Sequence, residues 1–233
     1  MFDVDGRLPA PPTVHGAAVY VPDWTGRVHA LSIYDGIVRW SRSFGSEEDR
    51  RTYARPVAVQ YRRLYLGSAS GTPGVVALEA NTGEPRWNRS LGTVTGGPLV
   101  DGDLVVIRTN HLLVGFATDG TRRWTVNLGD ARGGPMAVDE RAIYVPTGGG
   151  LRAIGRSGSG IWTYEPSDGE VGAPTIADDG VVVRTEEGPV ALSGADGSEQ
   201  WTVTAEGAGR PVVVSGGIFT AESDGRFVAF GQR

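Results

Sequence analysis

Two pairs of neighbouring acids, three histidines and a scatter of arginines are the residues of this chain that could do chemistry. Asp139–Glu140 and Asp178–Asp179 offer the oxygen donors a divalent cation takes. His15, His29 and His111 could serve as metal ligands or as acid–base groups. Arginines such as Arg55, Arg132 and Arg210 suit a carboxylate or a phosphate, because the planar guanidinium presents a fork of donors. Spacing removes most of these options. No histidine pair has metal-ligand spacing, and there is no G-x-S-x-G elbow or phosphate-cradling glycine loop. The absence of cysteine excludes disulfides, thiolate zinc sites and a thiol nucleophile together. The residues therefore predict no catalytic centre, no metal site and no cofactor.

The bulk properties narrow the class further. A chain of 233 residues with 39% hydrophobic content can build one substantial core or one repeat array. The formal charge of −5 argues against nucleic acid as a partner. All 22 basic residues are arginine, which fits a GC-rich genome or a high-salt adaptation. The opening stretch MFDVDGRLPA has neither a basic region nor an apolar run and reads as no signal peptide. No apolar stretch approaches the roughly 20 residues of a membrane span. Localisation stays open, with an extracytoplasmic or cell-surface site expected if the chain is a trimmed mature domain.

The elements that position these residues are legible from a repeat. Tryptophans stand at 40, 87, 124, 162 and 201, and prolines that open β-rich runs stand at 12, 56, 98, 135, 174 and 211. Two independent markers thus share a period of roughly 40 residues. Each unit reads as an alternating strand after the Pro, a turn, a second strand, a turn, a V-x-A-L-like strand, an Asp-Gly or Thr-Gly turn, and the Trp strand. Four short strands and three hairpin turns per repeat predict a propeller blade. No stretch has a 3.6-residue apolar period. The fold class is all-β, a single β-propeller domain of four-stranded antiparallel blades over residues 1–233.

Within a unit, ALEANTGEPRW (77–87) carries the pattern most fully, with related copies at 30–40 and 191–201. Ala77 is read as small because its strand packs closely on the next blade, and Thr82-Gly83 as the hairpin turn. Trp40, Trp87, Trp124, Trp162 and Trp201 are read as plugs between blades. The A-x-x-x-x-T-G-x-x-x-W run resembles the tryptophan-docking motif of the pyrroloquinoline-quinone-type propellers. That family includes quinoprotein alcohol dehydrogenases and the propeller lipoprotein of outer-membrane-barrel assembly. The resemblance covers nearly all of the chain. It implies the propeller fold, but the activity does not carry over. The quinone-binding members use an adjacent-cysteine disulfide, which is impossible here, and their calcium-ligand and catalytic carboxylate motifs find no match.

Six Pro-opened units carry only five Trp strands. Phe2 lies ten residues before Pro12, as Trp201 lies ten before Pro211, so Phe2 falls in the Trp slot and Val4 in that of Val203. This predicts six blades with the N-terminal strand closing the last one, which would remove exposed sheet edges. The alternative is a fragment of an eight-bladed ring, the size usual in the resembling family.

Gly16, Gly102, Gly180, Asp101 and Asp139 recur in register and read as first-turn residues, so the acid pairs become turn chemistry. Residues that break the repeat are the candidates for binding. From the second hairpin turns these are Asp23, Trp24, Arg108, His111, Arg184, Glu186 and Glu187; from the inter-blade loops, Arg55, Arg132 and Arg210, with Arg55 and Arg210 expected near the channel mouth. The long loop SRSFGSEEDRRTYAR (41–55) has a solvated charge run at its centre and is a second place for a partner. Asn88-Arg89-Ser90 matches a glycosylation acceptor but falls inside a Trp strand. Three functions fit: a monomeric, non-enzymatic scaffold that binds a protein or cell-surface component; a sensor or enzyme with a quinone or sugar at an Arg-lined mouth; or a structural module of a larger surface protein.

Overall fold

A computed structural model describes residues 8–23, 25–44, 53, 56–68, 70, 74–129, 134–167, 169–204, 211–214, 217–221 and 226–231. All the regular elements among these are strands. They form six antiparallel sheets in chain order, and the chain divides into two compact units, residues 1–127 and 128–233.

The first unit holds three four-stranded blades. Blade 1 is β1 (Thr13–His15), β2 (Ala18–Pro22), β3 (Arg27–Ser32) and β4 (Val38–Ser43). Blade 2 is β5 (Ala58–Gln60), β6 (Arg63–Ser68), β7 (Gly74–Glu79) and β8 (Pro85–Ser90). Blade 3 is β9 (Val94–Asp101), β10 (Leu104–Thr109), β11 (Leu112–Ala117) and β12 (Arg122–Asn127). In the second unit, blade 4 is β13 (Ala137–Val138), β14 (Ala142–Thr147), β15 (Gly150–Gly155) and β16 (Gly160–Tyr164). Blade 5 is β17 (Thr175–Ala177), β18 (Gly180–Arg184), β19 (Pro189–Ser193) and β20 (Glu199–Thr202). Blade 6 has three described strands, β21 (Val212–Val214), β22 (Gly217–Ala221) and β23 (Phe227–Gly231). Phe2 and Val4, the residues expected to supply its fourth strand, lie outside the described residues.

Alternation sets which side chains meet. The two middle strands of blades 1 to 5 read as near-continuous hydrophobic runs, and at least one face of each packs on the blade beside it in the same unit. Tyr20, Val28, Ala30 and Trp40 of blade 1 share a core with Leu64, Leu66, Val76 and Leu78 of blade 2. Tyr65, Val75, Ala77 and Trp87 do the same with Val105, Ile107, Val114 and Phe116 of blade 3. In the second unit, Tyr144, Ala153 and Trp162 pack on Val181, Val183, Val190 and Leu192, and Trp201 joins Val182 and Ala191 against Ile218. At the inner strands, the residue after the opening Pro stitches neighbours together. Thr13 Oγ1 donates to the Val57 carbonyl at 2.9 Å, and Thr175 Oγ1 to that of Pro211 at 3.2 Å.

The docking of the tryptophans is specific. The Trp40 indole N–H donates to the Ala80 carbonyl at 2.8 Å, that of Trp87 to Thr118 at 2.9 Å, and that of Trp162 to Gly194 at 3.1 Å. Each acceptor sits in the last hairpin turn of the next blade. In the same turns Gly83, Gly120 and Gly197 have φ of +70°, +84° and +74°, and a Cβ on each would fall 2.6–2.7 Å from the docked indole. Glycine is required there twice over, for the left-handed backbone and for the room.

Two details refine the sequence reading. Ala77 is buried in the core shared with blade 3, but its small size also answers to its own cross-strand partner, Trp87. Ala30, Ala153 and Ala191 stand opposite Trp40, Trp162 and Trp201 in the same way, and in blade 3 the position is Gly115, where a Cβ would lie 2.2 Å from Trp124. Among these five, Trp40 is buried, whereas Trp87, Trp124, Trp162 and Trp201 are half-buried. Among the turn residues, Gly16 and Gly102 lie in first hairpin turns with positive φ, whereas Gly180 opens β18, with Asp178 and Asp179 making the turn.

Candidate functional site

The residues singled out for binding are dispersed. Trp24, Arg55, Arg132 and Arg210 lie outside the described residues. His111 is exposed in the turn before β11. Arg108 was expected in that turn and is instead inside β10, with no exposed surface. The strand runs on through Thr109, whose hydroxyl and Leu112 close the hairpin, so the turn falls later than the Arg. Arg184 ends β18 half-buried, with its Nε enclosed and without a hydrogen-bond partner among the described residues. Glu186 and Glu187 are exposed in the following turn.

Turn chemistry accounts for Asp139, whose carboxylate accepts the amides of Arg141 and Ala142 at 2.8 Å each and the Tyr144 hydroxyl at 2.9 Å. Burial and the facing carboxylate raise the Tyr144 phenol well above its ordinary value. In the 41–55 loop the only residue described beyond Phe44 is Tyr53, which is fully buried and meets Phe44 edge-on at 6.3 Å. Asn88 is exposed within β8.

Blade 1 departs from the repeat in two places that sequence spacing did not connect. The first is a polar clasp. His29 stands where blades 2, 3 and 5 have Val76, Val114 and Val190. Its Nε2 meets Asp23 Oδ2 at 3.0 Å, and its Nδ1 meets the Ser41 hydroxyl at 2.9 Å. Asp23 Oδ1 also accepts the Thr25 amide (2.8 Å), the Thr25 hydroxyl (2.7 Å) and the Arg27 amide (3.0 Å). The Asp23 carboxylate can only accept, so Nε2 carries the hydrogen that is donated to it. The order hydroxyl, imidazole, carboxylate is that of a nucleophile relay. Here it ties the β2–β3 turn to the outer strand β4.

Burial alone would raise the Asp23 carboxyl. The hydrogen bonds from Thr25, His29 and the Arg27 amide outweigh it and hold the group below the usual aspartate range. A depressed acid contributes stability above its unfolded pKa and loses it as pH falls through the folded value. The clasp should therefore persist at pH 5 and fail only below about pH 4, the ordinary aspartate range. Asp23→Ala removes the acceptor of the buried His29, while the exposed Thr25 and Arg27 donors can turn to water, so a loss of about 1–3 kcal/mol is expected. Urea melts of both proteins between pH 3 and 7 should converge at the acid end.

The second departure is the last hairpin turn of blade 1. Ile33 (46% exposed), Tyr34 (85%) and Ile37 (65%) stand there in solvent. The equivalent residues of blade 2 are Ala80, Asn81 and Glu84, and those of blade 5 are Gly194, Ala195 and Ser198. Behind this tip lies a recess of about 400 Å³ lined by Leu8, Val19, Val21, Leu31, Ser32, Ile33 and Gly36.

Four-stranded blades joined by docked tryptophans define the molecule as a β-propeller with quinoprotein-like repeats. A family profile described as outer membrane protein assembly factor BamB matches residues 3–115 and 110–233, and the chain belongs to that family. Among solved structures, BamB from Moraxella catarrhalis superposes with a TM-score of 0.79 at 18% identity, covering 99% of this chain and 73% of that one. The computationally designed Ika8 protein gives 0.72 at 13% identity, over 96% of this chain and 70% of its own. The quinohemoprotein alcohol dehydrogenase of Comamonas testosteroni gives 0.68 at 18% identity, over 97% of this chain and 46% of the enzyme. At these identities the likeness is one of fold. No curated protein sequence matched the chain.

Proposed function

We propose that this chain is a non-enzymatic scaffold that binds a protein partner through the outer end of blade 1. The observation that carries the reading is the apolar tip Ile33–Tyr34–Ile37, on a turn whose counterparts in blades 2 and 5 are small or polar. An exposed apolar cluster with an aromatic at its centre has the composition of an interaction hot spot. The family's description as an assembly factor agrees with a role in holding other proteins. An extracytoplasmic or cell-surface location goes with this reading.

The test is a partner-capture comparison with the purified full chain as bait. A Tyr34→Ser/Ile37→Ser variant should lose at least nine-tenths of a captured protein. Tyr61→Ser, which changes an exposed aromatic in the β5–β6 turn of blade 2, should keep it. Equal capture by both variants would sink the proposal.

A further inference from the structure

The last turn of blade 1 has the same backbone as the turns that receive a tryptophan. Gly36 has φ +70°, as Gly83 has. The Gly36 amide donates to the Ser32 carbonyl at 2.9 Å and the Ser32 amide to Ile37 at 2.9 Å. The counterparts in blade 2, Gly83 to Glu79 and Glu79 to Glu84, are both 2.8 Å. The Ile33 amide is held by the Ala17 carbonyl, as that of Ala80 is held by Arg62 and that of Gly194 by Asp179. The Ile33 carbonyl is thus the counterpart of the two that accept the indoles of Trp40 and Trp162.

The difference lies in what covers it. A Cβ on Gly83 or Gly197 would strike an indole, whereas a Cβ on Gly36 would meet no described atom within 4 Å. Gly83 and Ala80 are buried, whereas Gly36 and Ile33 are exposed. The recess behind Gly36 has an aliphatic wall of Val19, Val21 and Leu31. These residues correspond to Leu64, Leu66 and Leu78, which pack beneath Trp40 in blade 2.

We propose that this recess is a binding socket for a tryptophan side chain presented by an extended segment of a partner protein. The indole would lie over Gly36 and its N–H would donate to the Ile33 carbonyl. The proposal rests on the protein-binding reading and names the residue that the partner must bring. A partner is favoured over a further blade of the same repeat by the rim. In blades 2 and 5 the receiving turn is rimmed by small or polar residues, whereas here Ile33, Tyr34 and Ile37 extend the apolar surface outward.

The probe is a synthetic peptide of residues 84–91, EPRWNRSL, a tryptophan strand of this chain, with its Trp→Ala analogue. Both are titrated into the full chain and followed by amide shifts of residues 31–37. The Trp peptide should bind saturably, at least tenfold more tightly than the Ala peptide. Gly36→Asn should abolish the difference, because Asn tolerates positive φ but puts its side chain where the ring would lie. Gly16→Asn, at a first-turn glycine with φ +57° and open space, should bind as the parent does. Equal binding of the two peptides would overturn the proposal, as would an affinity unchanged by Gly36→Asn. Binding that appears only after residues 1–7 are deleted would give the socket to the chain's own N-terminus and overturn it too. If Tyr34→Ser/Ile37→Ser loses the captured partner while Gly36→Asn keeps it, the scaffold reading stands and the indole socket falls.

Discussion

Trp40→Ala should cost about 3–5 kcal/mol, the range found when large core aromatics are truncated. Trp40 is the most buried of the described plugs, and it closes a core built from Tyr20, Leu64, Leu66, Val76 and Leu78. Its ring lies 6.1 Å from that of Tyr20, so the truncation also removes an aromatic contact. Little of the loss should come from the indole hydrogen bond. The Ala80 carbonyl also accepts the Tyr20 hydroxyl at 3.2 Å and is not left unsatisfied. Trp40→Phe should therefore recover most of the stability, leaving a deficit of about 1 kcal/mol for the lost donor. Trp87→Ala should cost less than Trp40→Ala, because Trp87 is half-buried. Urea melts at constant slope would measure all three. A cost below about 1 kcal/mol for Trp40→Ala would contradict the plug role.

Gly83→Ala and Gly36→Ala form the second comparison. Both glycines have φ +70° in turns of matched hydrogen bonding, so both substitutions pay the same left-handed backbone penalty of about 1–2 kcal/mol. They differ in the space outside the turn. An alanine methyl at 83 would lie 2.7 Å from Trp40 Cε3, forcing the indole out of its seat, whereas at 36 it meets open space. Overpacking typically adds about 1–3 kcal/mol. The expected losses are therefore about 2–5 kcal/mol for Gly83→Ala and about 1–2 kcal/mol for Gly36→Ala. Equal losses would mean that the turn conformation alone demands glycine and that the indole seat adds nothing.

The blades were legible because their signals are local. A Pro, an Asp-Gly or Thr-Gly turn and a Trp at fixed offsets each act within a few residues, and the repetition averages away exceptions. The seats of the indoles were not legible, because the acceptors are backbone carbonyls of Ala80, Thr118 and Gly194, and a carbonyl has no signature in sequence. Arg108 was assigned to the second hairpin turn from its place near the end of an apolar run, and the strand instead continues through Thr109. Tyr53 lies just past the charge run of the 41–55 loop, in a stretch that carried no sign of burial. The clasp joins positions 23, 29 and 41 only through pairing of three strands. Its one available signal was His29 at a place held by Val76, Val114 and Val190. Aligning the units residue by residue would have exposed it, and the Ile33–Tyr34–Ile37 tip with it.

Each described indole seat lies downstream of the tryptophan it holds: Trp40 waits for Ala80 and Gly83, Trp87 for Thr118 and Gly120, Trp162 for Gly194 and Gly197. On a ribosome that order has a temporal meaning. A chain emerging at about 5–20 residues per second leaves each outer strand with an unseated indole for the several seconds needed to make the next last hairpin. Blades 1, 2 and 4 are thus each completed by their successors, and a translational pause just after one of these tryptophan strands exposes an aromatic flank to chaperones or to aggregation. Synonymous codon changes that slow translation after residues 40, 87 or 162 should harm folding more than the same delay placed after residues 83, 120 or 197.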